Sequence, residues 1–221
     1  MAIIAPTREP APAAVVRPLD SDLLLAGVND LVARDPILAG IVDRHGPPPL
    51  WERPPGFETL VAIVLEQQVS LRSGAAALER LRDAAGSVDP ERVVALGEDG
   101  AGAAGLTRQK ARYVVALAVA ALDGTYDADA LAAADDETAR ARLVRLVGVG
   151  SWTADIYLLL ALGRPDIWPA GDLALATAMR RAIGLDALPT RDEQIRIADA
   201  WRPWRPVAAR ILWHAYLNGE R

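Results

Sequence analysis

Residues 146–172 read LVGVGSWTADIYLLLALGRPDIWPAGD. The stretch holds two glycines around one apolar residue, a helix beginning directly after them, a Pro-rich loop, and a lone carboxylate opening another apolar helix. Gly148 and Gly150 permit a tight turn between two helices and remove the Cβ atoms that would hold a ligand off the backbone. Val149 can plug that turn into a core. The amides of Gly148 and Gly150, with those of Ser151 and Thr153 in the first turn of the next helix, then face outward at a positive helix end. A phosphate diester is a natural guest there. Recognition through amides reads a DNA backbone rather than its sequence. Taken alone, Gly-x-Gly equally serves as a plain helix connection and Asp172 as a plain helix cap.

Outward from this stretch the periodicity is helical throughout. Asp20 or Ser21 caps a first helix to about residue 34, and Pro36 opens a short second one to about 43. GPPPLWERPPG (46–56) is a rigid linker and the expected passage between lobes. Phe57, Leu60, Val61, Val64 and Leu65 recur at three- and four-residue steps, predicting a helix over 57–69 that ends in the polar run Glu66-Gln67-Gln68. Further helices are predicted from Ser70 or Ser73 to about 85, over 90–96, over 108–122 behind a Thr107 cap, over 128–133, over 136–145 with Asp135 or Asp136 at its start, and over 151–162, 172–183, 192–200 and 203–217. The glycine-rich segment 97–105 is expected to be a mobile loop and residues 1–18 a flexible arm. No repeats and no strand alternation appear, so the fold class is all-α.

The chain of 221 residues is long enough for one good core or two small lobes sharing a cleft. Its Ala- and Leu-rich composition suits helices. No apolar run approaches the ~18 residues of a membrane helix, and the Pro-broken start lacks a signal peptide's basic region. Without cysteine there is no disulfide, thiolate metal site or iron–sulfur cluster. A cytoplasmic monomer is expected, nucleoid-associated if the source is prokaryotic. A net charge of −5 argues against a broad non-specific nucleic-acid surface. It leaves room for local contacts, with Arg108, Lys110 and Arg112, and Arg202, Arg205 and Arg210, as basic clusters. His45 and His214 are far apart in sequence and expected to be structural.

Several spaced motifs carry a resemblance. LVGVGSWTAD resembles the helix–hairpin–helix of the helix–hairpin–helix/Gly-Pro-Asp DNA glycosylases, and PAGD resembles their loop ending in a catalytic aspartate. EQQVSLRSGAA, GLTRQKARYVVALA and WRPWRPVAARILWHAYL are similar to segments of the 3-methyladenine DNA glycosylase II branch, the alkylation-repair enzymes. The likeness runs from about residue 20 to 217. It implies two helical lobes around a cleft, with 52–165 as a central lobe carrying the hairpin and 1–51 joined to 166–221 as the other. The N-terminal β domain of larger bacterial members has no room before Trp51, so a compact form is expected.

The resemblance assigns Asp172 as catalytic, and the chemistry agrees: breaking an N-glycosidic bond leaves positive charge on the sugar, which a nearby carboxylate in a low-dielectric cleft stabilises. Asp166 is expected to secure its loop and Asp155 to act as a capping or interlobe group. Trp152 stands where strand-cutting members carry a Schiff-base lysine, which implies a monofunctional enzyme. Trp152 and Trp213 are expected to line the base pocket and stack on a cationic alkylated base, whereas Trp201 and Trp204 buttress a helix start, and Trp51 and Trp168 pack or anchor a loop. Ile156 stands where the resemblance leads one to expect an aromatic, and Glu66 is a further pocket residue. Gln68 matches the wedge that fills the gap of a flipped base, with Gln67 beside it at the minor groove. No cofactor is required. The resemblance also implies a Na+ or K+ ion on the carbonyls of Val144, Leu146 and Val149, bridging to a phosphate. The implied partner is duplex DNA containing alkylated bases of the 3-methyladenine and 7-methylguanine type. The alternatives are a glycosylase for deaminated or oxidised purines and a damaged-DNA-binding protein that no longer cleaves.

Overall fold

A computed structural model describes residues 17–219. Their regular elements are all helical: α1 (Ser21–Arg34), α2 (Pro36–His45), α3 (Phe57–Glu66), α4 (Leu71–Ala85), α5 (Pro90–Ala103), α6 (Arg108–Leu122), α7 (Ala128–Ala133), α8 (Asp136–Leu143), α9 (Ser151–Leu160), α10 (Leu173–Ile183), α11 (Arg191–Ala198), a 3-10 turn Asp199–Trp201 and α12 (Arg205–Leu217). All but the last two residues of the arm expected over 1–18 lie outside the described residues. No described helix is long and apolar enough to cross a membrane.

Short-range side-chain caps start most of these helices. Asp20 accepts from the Leu23 amide at 2.8 Å, Ser70 from Ser73 at 3.1 Å and Thr107 from Lys110 at 3.3 Å. Each satisfies a donor that the first turn of a helix leaves free.

Two expectations are corrected. The helix predicted over 57–69 stops at Glu66, because Gln67 leaves the helical region and Gln68 takes a left-handed φ of 58°. The Gln67 side chain is instead drawn toward α9, where it meets Thr153. The loop expected over 97–105 is largely helical: Gly97, at φ 69° and ψ 177°, kinks α5, and the chain then winds on to Ala103. Ala101 is fully buried there, so tertiary packing overrides the poor helix propensity of the glycines.

Two apolar cores build two lobes. Val61, Leu65, Leu81, Val93, Val114 and Ala118 form one, drawn from α3 to α6. The other takes Leu60, Ile63 and Val64 from the opposite side of α3 and joins them to α1, α2, α8, α9, α10 and α12. A helix buried on both sides has to be apolar nearly all round, and α3 (FETLVAIVLE) is. The polar residues that close α3 therefore emerge where the two lobes part.

The second lobe is tied across its two chain ends. Asp35 caps α2 through the amides of Ile37 and Leu38, and its other oxygen accepts from the Trp201 indole at 2.7 Å. Asp35→Ala removes the cap and strands a buried N–H, so unfolding free energy should fall by about 2 kcal/mol. Denaturant titration with an unchanged slope checks this. Arg210 is fully buried and donates to the carbonyls of Leu50, Pro206 and Leu159, fastening the 46–56 linker and the end of α9 to α12. Burial pushes its guanidinium down to about 10, so it stays charged at neutral pH.

Candidate functional site

Residues 144–150 form the hairpin between α8 and α9. Gly148 has φ 84°, and a Cβ there would stand 2.4 Å from Cγ of the Tyr113 ring. Only glycine meets both conditions. Val149 is buried, and its amide donates to the Leu146 carbonyl at 3.1 Å. Gly150 is exposed, a Cβ there would have nothing within 4 Å, and α9 begins with no side-chain cap. Among the described residues, no backbone carbonyl accepts from the amides of Gly148 or Gly150. The hairpin thus offers unpaired donors at a positive helix end, the geometry of an anion nest. Ser151 adds a hydroxyl that accepts from the exposed Arg191 of α11 at 2.7 Å. Nothing in the sequence pointed to Arg191.

Two residues expected to meet DNA face inward. Thr153 is 2 % exposed, and its hydroxyl accepts from the Gln67 amide at 2.8 Å. Gln67 also donates to the Gly148 carbonyl at 2.9 Å. Gln67 and Thr153 therefore brace the hairpin against the end of α3, since a half-buried amide needs its donors satisfied. Gln68 alone of that pair of glutamines projects into solvent, on a left-handed backbone that ordinarily favours glycine or asparagine.

The loop leading to Asp172 is held at several points. Asp166 accepts from Arg205 at 2.6 Å and pairs with Arg202. The Gly171 amide donates at 2.9 Å to the side chain of Gln194, which is buried. Trp168 and Trp201 pack at 5.5 Å between ring centroids. Asp172 caps α10, its Oδ1 accepting from the Leu175 amide at 2.8 Å. The same oxygen accepts from the Trp213 indole at 3.2 Å, and Oδ2 accepts from the Trp152 indole at 3.0 Å. The carboxylate is therefore a cap and something further: two aromatic rings from α9 and α12 turn their N–H edges onto it. A carboxylate has about four lone-pair positions, so the three donors orient it and leave capacity on Oδ2. Its competitors are engaged elsewhere. Asp155 is buried against Arg140 at 2.6 Å, and burial holds its carboxyl above the usual range despite that guanidinium.

Asp172 lies on the wall of a cleft of about 1620 Å³. One wall is the stripe Trp152, Ile156 and Leu160 on α9, spaced by four so that all three share a face. Ile156 is almost fully buried in it. Glu66 lies on the wall with Arg53 of the linker, a residue that sequence reasoning missed because thirteen positions separate the pair. Lys110, on the lining too, donates to the Leu65 carbonyl at 2.6 Å, and burial lowers its pKa. Leu71 and Leu173 also line the cleft, 58 % and 68 % exposed, large apolar side chains left open to solvent. His45 and His214, distant in sequence, meet edge to face at 6.3 Å, with the His214 ring on the His45 carbonyl at 3.1 Å.

The sequence matches the family described as HhH-GPD superfamily base excision DNA repair protein over residues 61–206. AlkA of Mycobacterium tuberculosis is 30% identical over 208 residues, which cover 89% of this chain and 41% of that protein. YfjP of Bacillus subtilis is 25% identical over 186 residues, 80% of this chain and 65% of that protein. The chain thus spans less than two thirds of either relative. The solved structure of the Schizosaccharomyces pombe 3-methyladenine DNA glycosylase Mag1 in complex with abasic DNA shares the fold. Its TM-score is 0.80 at 23% identity, covering 89% of this chain and 98% of that one.

Proposed function

The chain belongs to the HhH-GPD superfamily of base-excision DNA repair proteins, and from that premise we propose that it is a monofunctional DNA glycosylase of the 3-methyladenine glycosylase II branch, removing alkylated bases from duplex DNA as a monomer. The observation that carries this reading is the Asp172 carboxylate, held by two indole N–H groups at the wall of a cleft large enough to admit a nucleotide. The hairpin glycines Gly148 and Gly150 line the same cleft.

The hairpin amides and Arg191 grip phosphate oxygens beside the lesion. Exposed Gln68 enters the stack and fills the space of the extruded nucleotide. The C1′–N bond then breaks, its electron pair leaving with the base, and positive charge develops on C1′ and the ring oxygen. Asp172 stabilises that charge from a fixed position, so no reorganisation is needed at the moment of reaction. Water adds to C1′, and its proton passes to Asp172 or to solvent. Alkylation at N3 or N7 makes a purine cationic and a good leaving group. The electron-rich face of Trp152 favours such a ring by about 1–2 kcal/mol when desolvated, and its N–H bond to Asp172 sets the plane on which the base would lie.

The absence of a lyase step is supported by lysine content. Lys110 is the chain's one lysine; its amine donates to the Leu65 carbonyl, and the position of the Schiff-base lysine is held by Trp152. A monovalent cation fits the hairpin. Among the described residues no backbone amide donates to the carbonyls of Val144 or Val149, while that of Leu146 is shared with the Val149 amide. The carbonyls of Val144, Leu146 and Val149 would hold such an ion, which would supply positive charge for a DNA phosphate beside the hairpin.

The test is a panel of duplexes carrying single alkylated, deaminated or oxidised bases, with abasic product resolved from cut strand. Release of methylated purines to leave an intact abasic strand is the expected result. Tight binding with no abasic product, or strand cleavage, overturns the proposal. Trp213→Phe keeps a smaller aromatic ring at the site and removes one hydrogen bond to Asp172. Single-turnover release should slow about tenfold, the worth of one such bond, with affinity for the duplex unchanged.

A further inference from the structure

Arg53 and Glu66 form a two-bond ion pair on the cleft wall, with Nη1 donating to Oε2 at 3.1 Å and Nη2 to Oε1 at 2.9 Å. Their side chains are 28 % and 12 % exposed, half withdrawn from water but open to the cleft. Both are held rigidly. The Arg53 amide donates to the Leu160 carbonyl at 2.9 Å. Glu66 adjoins Gln67, which is bonded to the hairpin. On its other flank, Gly74 of α4 packs so closely that a Cβ there would stand 2.6 Å from Cγ of Glu66.

Position in the cleft gives the pair its meaning. Trp152 and Leu160 are separated along α9 by about 12 Å at the helical rise. Asp172, on the Trp152 indole, marks the end where the sugar sits. Arg53, stitched to Leu160, approaches from the opposite end. Arg53, Glu66, Trp152 and Asp172 line one cleft, so a base extruded against Trp152 with its C1′ near Asp172 has its far edge open to the pair.

We propose that Arg53 and Glu66 together read the Watson–Crick edge of the extruded purine and admit only bases on which that edge is intact. The proposal rests on the glycosylase reading above. Each Glu66 oxygen spends one lone pair on Arg53 and keeps another, while the guanidinium keeps N–H groups beyond the two given to Glu66. The wall thus presents an acceptor beside a donor. The Watson–Crick edge of a purine presents a donor beside an acceptor, N6–H and N1 in an adenine, N1–H and O6 in a guanine. Alkylation at N3 or N7 lies on other edges and leaves this match in place. A base whose N1 and N6 are bridged, such as 1,N6-ethenoadenine, offers no donor there and sets two charged groups against an apolar ring in a site shielded from water, which is costly.

Affinity tests this without requiring turnover. In the Asp172→Asn background, dissociation constants are measured for duplexes holding 3-deaza-3-methyladenine, whose Watson–Crick edge is intact, and 1,N6-ethenoadenine. The first should bind at least about tenfold more tightly, the worth of one or two charge-assisted bonds. Adding Arg53→Met with Glu66→Leu should bring the ratio to about one. Replacing both partners avoids a stranded charge, so the double variant keeps its fold, and a thermal melt verifies that. A parent protein without the preference, or a double variant that retains it, overturns the proposal. Failure of the glycosylase reading shows separately, as wild-type protein that leaves every lesion in the panel uncleaved.

Discussion

Asp172→Asn should leave a folded protein that binds lesion-bearing DNA yet releases the base at least about a hundredfold more slowly, the usual cost of removing a group aimed at transition-state charge. The substitution is nearly silent structurally. Asn is as good an N-cap as Asp, so the bond to the Leu175 amide survives. Asn has one acceptor oxygen, so one of the two indoles that now donate to Oδ1 and Oδ2 loses its partner. That costs about 1 kcal/mol of stability. What disappears is the negative charge. Single-turnover release, duplex affinity and a melting curve together separate the catalytic loss from misfolding. Release at the wild-type rate would end the case for Asp172 as the group that stabilises the sugar.

Gly148→Ala should cost about 2–4 kcal/mol of stability, from a left-handed backbone carrying a Cβ and from overpacking, and should abolish tight DNA binding. The added carbon would lie 2.4–2.8 Å from three atoms of Tyr113. That ring has little freedom to yield: its hydroxyl accepts from Gln109 at 2.7 Å, and the Arg112 guanidinium lies 5.5 Å from its centroid. The hairpin must move instead, taking with it the carbonyl that receives Gln67. Gly150→Ala makes the informative contrast. Its φ of −90° suits alanine, and the Cβ meets nothing, so stability should hold. The methyl group then stands before the open amides, and affinity should fall about tenfold or more. Wild-type affinity in Gly150→Ala would remove the hairpin amides from the account of DNA binding.

Most of the helical frame was legible from residues a few positions apart. Asp20, Ser70, Thr107 and Asp135 announce helix starts because a cap acts on amides three residues on. The glycine-rich run before Thr107 misled for the same reason: propensity is a local quantity, and the burial of Ala101 that rescues the end of α5 is not. The Gln67-Gln68 pair misled too. Both look like solvent-facing polar groups, and one of them turns back to satisfy the hairpin.

By itself the sequence determined an all-helical chain, a glycine hairpin opening α9, and a carboxylate at the head of α10, since each depends on backbone torsions and hydrogen bonds within a few residues. Only the tertiary structure decided that two indoles converge on Asp172, that Arg53 grips Glu66, that Arg191 reaches Ser151, and that Thr153 is interior. Those contacts depend on how far each helix is rotated about its axis. That rotation is set by burying α3 on both sides between two cores, a constraint shared by residues far apart in the chain.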